Sequence, residues 1–129
     1  MSKIIEKRKQ INKIVENKEA KVAICRQRYL RIAPRKIRFL IDAIRGENLP
    51  QAMAIIRNTH KAASPIILKA LKSAQANAIE KEMDKDILYI KEIKCDEGPA
   101  MKRQLPRSRG RAVPILKKFS HLTIVLGER

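Results

Sequence analysis

The spacing of apolar positions changes period along the chain, and each change marks an element. From Lys21 to Ile32 the pattern predicts a strand with Val22, Ile24, Leu30 and Ile32 on one face. Arg26 and Arg28 interrupt that face, so the strand is expected to leave the core midway. Pro34 then stands where a helix takes its first residue. Ile37, Leu40, Ile41 and Ile44 recur at i, i+3, i+4 and i+7 until Gly46 ends the run. Phe39 falls off this stripe and is expected to pack against a second element rather than to stack on a base. A shorter helix begins at Pro50, turns Met53 and Ile56 inward, and ends at His60. A third opens at Pro65 with Ile67, Ala70, Leu71, Ala74 and Ala78 on one side; its small residues from Ser73 to Ala78 predict close packing of the helix. From Ile87 the period becomes two, with Ile87, Tyr89, Ile93 and Cys95 on one face and Leu88 and Ile90 on the other. A last strand from Phe119 to Leu126 turns Leu122, Ile124 and Leu126 inward and His121 and Thr123 outward. The order β-α-α-α-β-β predicts an α+β fold: a small three-stranded antiparallel sheet packed with three helices.

The connection between the last two strands has a different character. From Gly98 to Lys118 it holds seven basic residues and no acid. Pairing Ile87 near Leu126 puts its midpoint at Pro106 and Arg107 and sets Asp96 near Lys117. Each side of the resulting hairpin, about 95–118, would project roughly 30 Å. An arm of that length, without an apolar pattern to support the core, protrudes from the domain. At the other end, residues 1–19 form a basic block whose thin stripe (Ile4, Ile11 and Val15, with Ile14 beside it) is too slight to fold alone. The expected organisation is an N-terminal extension at 1–19, one domain at 20–126 including the arm, and a tail at 127–129.

Charge narrows the choice of partner. Thirty Lys and Arg against 13 Asp and Glu leave a net +17 in 129 residues. Self-repulsion on that scale is relieved by a polyanion, and nucleic acid is the commonest one. A membrane surface would call for bulky aromatics on an amphipathic helix, but the chain has only Tyr29, Phe39, Tyr89 and Phe119 and no Trp. The same scarcity argues against a platform that stacks a run of bases. No apolar run approaches the roughly 18 residues of a membrane span. The dense charge of the first residues does not make a secretory signal, and Glu6, Glu16 and Glu19 do not suit a mitochondrial one, so the chain is expected to stay where it is made. Cys25 and Cys95 stand alone, as do His60 and His121, which gives no metal-ligand spacing and implies neither metal nor cofactor. The two thiols are expected to be buried and structural. A Cys25–His121 pair would lack both an activating third group and an oxyanion site, so no enzyme is expected.

The candidate phosphate contacts are Lys21, Arg26, Arg28, Arg31, Arg35, Lys36 and Arg38, which lie in eighteen consecutive positions without an acid. Arg35 and Arg38 are expected to face outward, opposite the apolar stripe. Lys69 and Lys72 on the third helix join them, as do Lys102, Arg103, Arg107, Arg109, Arg111, Lys117 and Lys118 on the arm. Charge does not choose between RNA and DNA, so a DNA-architectural protein with a basic arm is the alternative.

The run Lys102-x4-Arg107-Ser108-x-Gly110-Arg111, nine residues, then His121-Leu122-x-Ile124-x-Leu126 resembles the signature of the ribosomal protein L twenty-two family. Arg28-Tyr29-Leu30-Arg31-Ile32-Ala33-Pro34-Arg35-Lys36, Leu71-Lys72-Ser73-Ala74-x-Ala76-Asn77-Ala78 and Asp96-Glu97-Gly98-Pro99 agree with it in order. Departures are Ala33, where Ser often caps the helix, and Val113-Pro114, where the arm is commonly charged. The resemblance implies a structural constituent of the large ribosomal subunit, in a cytoplasmic rather than an organellar ribosome. It also implies binding to several domains of large-subunit rRNA, support of its assembly, and neighbouring ribosomal proteins as partners. The hairpin tip (Met101, Lys102, Arg103, Gln104, Leu105, Pro106, Arg107, Ser108, Arg109, Gly110 and Arg111) would line the peptide exit tunnel beside the nascent polypeptide, near where macrolides bind.

Overall fold

A computed structural model of the chain describes residues 3–9 and 21–129. Residues 3–9 are helical with exposed side chains; the rest of the stripe expected in the extension, Ile11, Ile14 and Val15, lies outside the described residues. The elements that follow are β1 (Val22–Leu30), α1 (Pro34–Ile44), α2 (Leu49–Asn58), α3 (Ser64–Glu80), β2 (Leu88–Pro106) and β3 (Ala112–Glu128). The sheet order is β1-β3-β2, antiparallel throughout, and the α+β class is as expected.

Each of the three helices carries its proline in the first turn, where the missing N–H has no intrahelical partner to lose. Their apolar stripes are buried as the spacing predicts: Ile37, Leu40, Ile41 and Ile44 on α1, and Ile67, Ala70, Leu71, Ala74 and Ala78 on α3. On α2 the buried residues are Leu49, Ala52 and Ile56, and Met53 is half-buried. These side chains meet Leu88, Ile90, Ile93, Leu122, Ile124 and Leu126 from the sheet in one core. Both thiols are free and buried there.

The strands depart from expectation in phase. On β1 the inward residues are Ala23 and Cys25, and Ile24 is 40% exposed. α3 lies along β1 with its alanines inward, and so close a helix leaves room for small side chains only. On β2 the buried face is Leu88, Ile90, Ile93 and Cys95, whereas Ile87 and Tyr89 lie outside the core. A β-bulge is the cause. Ile90 pairs with Leu126 and Glu92 with Val125, so Lys91 is an extra residue that reverses the alternation. The register also starts elsewhere, since Leu126 pairs with Ile90 and not Ile87: Asp96 faces His121, not Lys117, which faces Met101. Phe39 is 71% exposed, so its ring is not covered by a second element as expected.

Side chains from the helices close both sheet edges. At the β2 edge, Arg38 donates through Nε and Nη2 to the Cys95 carbonyl, at 3.1 and 3.0 Å, and Arg45 donates to that of Ile93 at 3.4 Å. At the β1 edge, Asn77 Nδ2 donates to the Ile24 carbonyl at 3.0 Å and Lys81 Nζ to that of Val22 at 2.9 Å. Carbonyls that could pair with another chain are thereby satisfied within the domain.

Candidate nucleic-acid interface

The arm is the distal part of β2 and β3. Beyond Cys95 on β2 and before Ser120 on β3, no residue is fully buried. Ten residues from Glu97 to Pro106 span roughly 30 Å of extended chain, and their pairing runs to Pro106 opposite Ala112. The turn therefore centres on Arg109, two to three residues beyond the expected midpoint at Pro106 and Arg107. Arg107 donates its N–H to the Arg111 carbonyl at 2.7 Å and closes the loop. Arg109 and Gly110 take consecutive left-handed conformations, with φ of 60° and 71°. Glycine adopts that conformation without cost, whereas arginine adopts it at about 1–2 kcal/mol. Three arginines, Arg107, Arg109 and Arg111, are presented on a five-residue tip. Along the arm Met101, Arg103, Leu105, Val113, Ile115 and Lys117 share one face, so an apolar stripe that was not expected does exist there, detached from the core.

A second bulge sets the arm's base. Glu97 pairs with Ser120 and Ala100 with Lys118, leaving Gly98 and Pro99 opposite Phe119. A Cβ on Gly98 would come within 3.2 Å of the Phe119 carbonyl oxygen and of His121 Nε2. Proline, which has no N–H to give a ladder, is tolerated where pairing lapses. The Asp96-Glu97-Gly98-Pro99 run is thus a bend that re-aims the strand as it leaves the domain. A third bulge faces it across β3. Gln27 pairs with Leu122 and Leu30 with Ser120, so Arg28 and Tyr29 stand against His121. Tyr29 has φ of 57°; its N–H donates to His121 Nδ1 at 3.0 Å, and the two rings meet edge-to-face at 5.0 Å. Between the bulges, Ser120 is fully buried and its hydroxyl donates to the Ile32 carbonyl at 2.9 Å.

The expected contact residues divide among several surfaces. Arg26 and Arg28 lie on the sheet face away from the helices, in a groove with Lys94, Asp96, His121 and Thr123. Arg31 is exposed in the β1–α1 connection, and Arg35 and Lys36 are exposed in the first turn of α1. Lys21 is exposed and lies near the Glu82 carbonyl at 3.4 Å. Lys69 and Lys72 are exposed on α3. All seven arm residues are exposed; Lys118 approaches Glu97 at 3.9 Å, an exposed pair of little energetic weight. Arg38 is exposed as well, but its guanidinium is docked on the Cys95 carbonyl and anchors the strand that becomes the arm. The stretch from Lys21 to Arg38 is therefore no single patch.

Sequence reasoning missed Lys94 and Lys61. Lys94 has a legible signal, since it alternates with inward Ile93 and Cys95. Lys61 stands alone between two helices and has none. Cys25 and His121 sit on opposite faces of the sheet, so they do not form a pair. Burial pushes the Cys95 thiol above its ordinary range, a direction opposite to that of an activated nucleophile. Among the described residues no His, Cys, Asp and Glu gather in a metal-binding group, and no helix is long and apolar enough to cross a membrane.

The family described as ribosomal protein L22p/L17e matches residues 25–127. A protein of Thermus thermophilus named large ribosomal subunit protein uL22 is 50% identical over 103 residues, covering 79% of this chain and 91% of its own. Proteins of the same name from Acetivibrio thermocellus and Desulfitobacterium hafniense are likewise 50% identical over 103 residues, 79% of this chain, with 82% and 90% of their own lengths covered. The matched span contains the sheet except the opening residues of β1 and the last residue of β3, together with α1 to α3 and the arm with its bulged base: the chain belongs to the ribosomal protein L22p/L17e family.

Proposed function

We propose that this chain is a structural constituent of the large ribosomal subunit, acting in the cytoplasm. Its globular surface and arm bind large-subunit rRNA and support assembly, and the tip from Met101 to Arg111 lines the peptide exit tunnel beside the nascent chain. Residues 20–126 act as one domain and 1–19 as an appended extension, among neighbouring ribosomal proteins. The observation that carries the reading is the arm. A two-stranded projection of roughly 30 Å, rich in cations and devoid of acid from Gly98 to Lys118, is held at its base by two bulges and by Arg38. Such an element contributes nothing to its own core and matches insertion into folded, phosphate-lined surroundings. Arginine suits that setting because its planar fork binds phosphate oxygens in pairs.

Co-sedimentation provides the test. The tagged chain is expected to travel with the large subunit through a high-salt gradient and to photo-cross-link, from tip positions, to rRNA and to nascent polypeptide. Release from the subunit in high salt would contradict a structural role. Retention with cross-links only at the globular surface would leave the ribosomal assignment standing and remove the tip from the tunnel.

A further inference from the structure

Arg35, Lys36 and Phe39 lie three and four residues apart on one side of α1 and face the segment Lys61–Ala63 that leads into α3. Together they line an open groove of about 490 Å³, within the range of small-ligand sites. Phe39, at 71% exposure, is more exposed than any other large hydrophobic side chain described. Among the described residues nothing is stacked on its ring: the aromatic pair is Tyr29 with His121, and the cation over a ring is Arg129 on Tyr89. The other side chains of the groove are two alanines and three cations. The groove also adjoins the N-terminal ends of α1 and α3. Their cap positions, Ala33 and Ala63, supply no side-chain bond, and neither first turn holds an acid, so the positive helix ends add to the cations uncompensated.

An apolar platform ringed by unbalanced positive charge is complementary to a group that is flat and apolar at its centre and anionic at its margins. A nucleotide has that form. An acidic peptide shares the charge, but its aliphatic side chains call for a slot, and the two alanines give a shallow floor beside one ring face. We propose that this groove takes a single unpaired RNA base stacked on Phe39, with Arg35, Lys36 and Lys61 on the flanking phosphates. The inference rests on the rRNA reading above and adds the conformation of the nucleotide held there. One isolated aromatic suits one extruded base, in keeping with the scarcity of aromatics elsewhere.

The test uses the full chain with three probes: hexauridylate carrying one 5-iodouridine, an RNA duplex of equal charge, and a short peptide of alternating Glu and Leu. Irradiation is expected to join the iodouridine to Phe39. Phe39→Leu keeps the apolar bulk and removes the ring. It should abolish that cross-link and weaken hexauridylate binding about fivefold to a hundredfold, while duplex affinity, salt slope and thermal midpoint stay unchanged; Phe39→Tyr should restore binding. Cross-links elsewhere with Phe39→Leu binding normally, duplex binding being intact, would overturn this proposal alone. Peptide binding that is lost in Phe39→Leu, with hexauridylate unaffected, would overturn it in favour of a protein partner. Absence of salt-dependent binding to either RNA would overturn the rRNA reading along with it.

Discussion

Excising the arm separates its contribution from that of the domain, provided the cut respects the register. Deleting Met101 through Arg111 alone would bring Ala100 against Ala112, although Ala100 pairs with Lys118, and six residues of β3 would be left without partners. A symmetric cut removes Arg103 through Ile115 and joins Lys102 to Leu116, which already face each other, through an Asn-Gly turn. None of the excised side chains belongs to the core. The unfolding free energy should therefore change by no more than about 0.5 kcal/mol, a shift of a few degrees at most in the thermal midpoint. The cut does remove four arginines: Arg103, Arg107, Arg109 and Arg111. If each engages one phosphate, the slope of log affinity against log salt falls by about 0.7–0.9 per residue, up to roughly 3–4 in all. Binding should weaken yet persist, because Arg26, Arg28, Arg35 and Lys36 remain.

Three measurements follow on the same variant: thermal unfolding, a salt titration against large-subunit rRNA, and protection by a macrolide in purified particles. The expected pattern is an unchanged midpoint, a shallower slope, and altered responses to macrolides and nascent chains in particles that still assemble. A midpoint lowered by 10 °C or so would show that the arm supports the core and would refute the reasoning. A normal midpoint with unaltered tunnel responses would place the tip elsewhere.

Three smaller perturbations test the arm's base and the core beneath it. Ser120→Ala leaves the half-buried Ile32 carbonyl without its donor and should cost about 1 kcal/mol, read as a lower urea midpoint at constant m. Gly98→Ala forces a Cβ against the Phe119 carbonyl and should loosen the arm's base, seen as faster amide exchange at Met101 to Gln104 with exchange at Leu122 to Leu126 unchanged. Because burial raises the Cys95 thiol, the folded state keeps a proton that the unfolded state releases above about pH 8.5. Stability should accordingly fall as pH rises past that point, and Cys95→Ala, compared in urea at about pH 7 and pH 9.5, should flatten the fall.

The helices were legible because proline starts and a 3.6-residue stripe are local signals, and nothing in the tertiary structure opposes them. The α3 stripe is reproduced residue for residue, from Ile67 to Ala78. Strand phase was less legible, since it depends on what packs above the strand. Ile24 is more apolar than Ala23, yet Ala23 is inward because α3 presents alanines there. Arg38 was placed correctly on the outer side of α1, but its partner is a backbone carbonyl 57 residues away. No charge count distinguishes that role from a phosphate contact.

The inverted face of β2 and the bends at the arm's base share one physical source, and it bears on how the molecule works. A bulge inserts a single residue, inverts the alternation beyond it, and has no period of its own, so pattern reading passes over it. Lys91 inverted the reading of β2; it also added one residue to a register that already differed by three, because Leu126 pairs with Ile90 and not Ile87, and so Asp96 meets His121 instead of Lys117. The bulges at Gly98-Pro99 and at Arg28-Tyr29 flank the same stretch of β3, from Phe119 to His121. There the covering helices end, and the pair β2–β3 continues alone. A regular ladder would carry the sheet's accumulated twist straight into the arm. Added residues on both neighbours of β3 instead concentrate bend and twist at one level, and the buried Ser120 hydroxyl and the Arg38 guanidinium fix that level to the domain. A small rotation at this base is multiplied over roughly 30 Å of arm, so the places where local pattern fails are the places that decide where Arg107, Arg109 and Arg111 arrive.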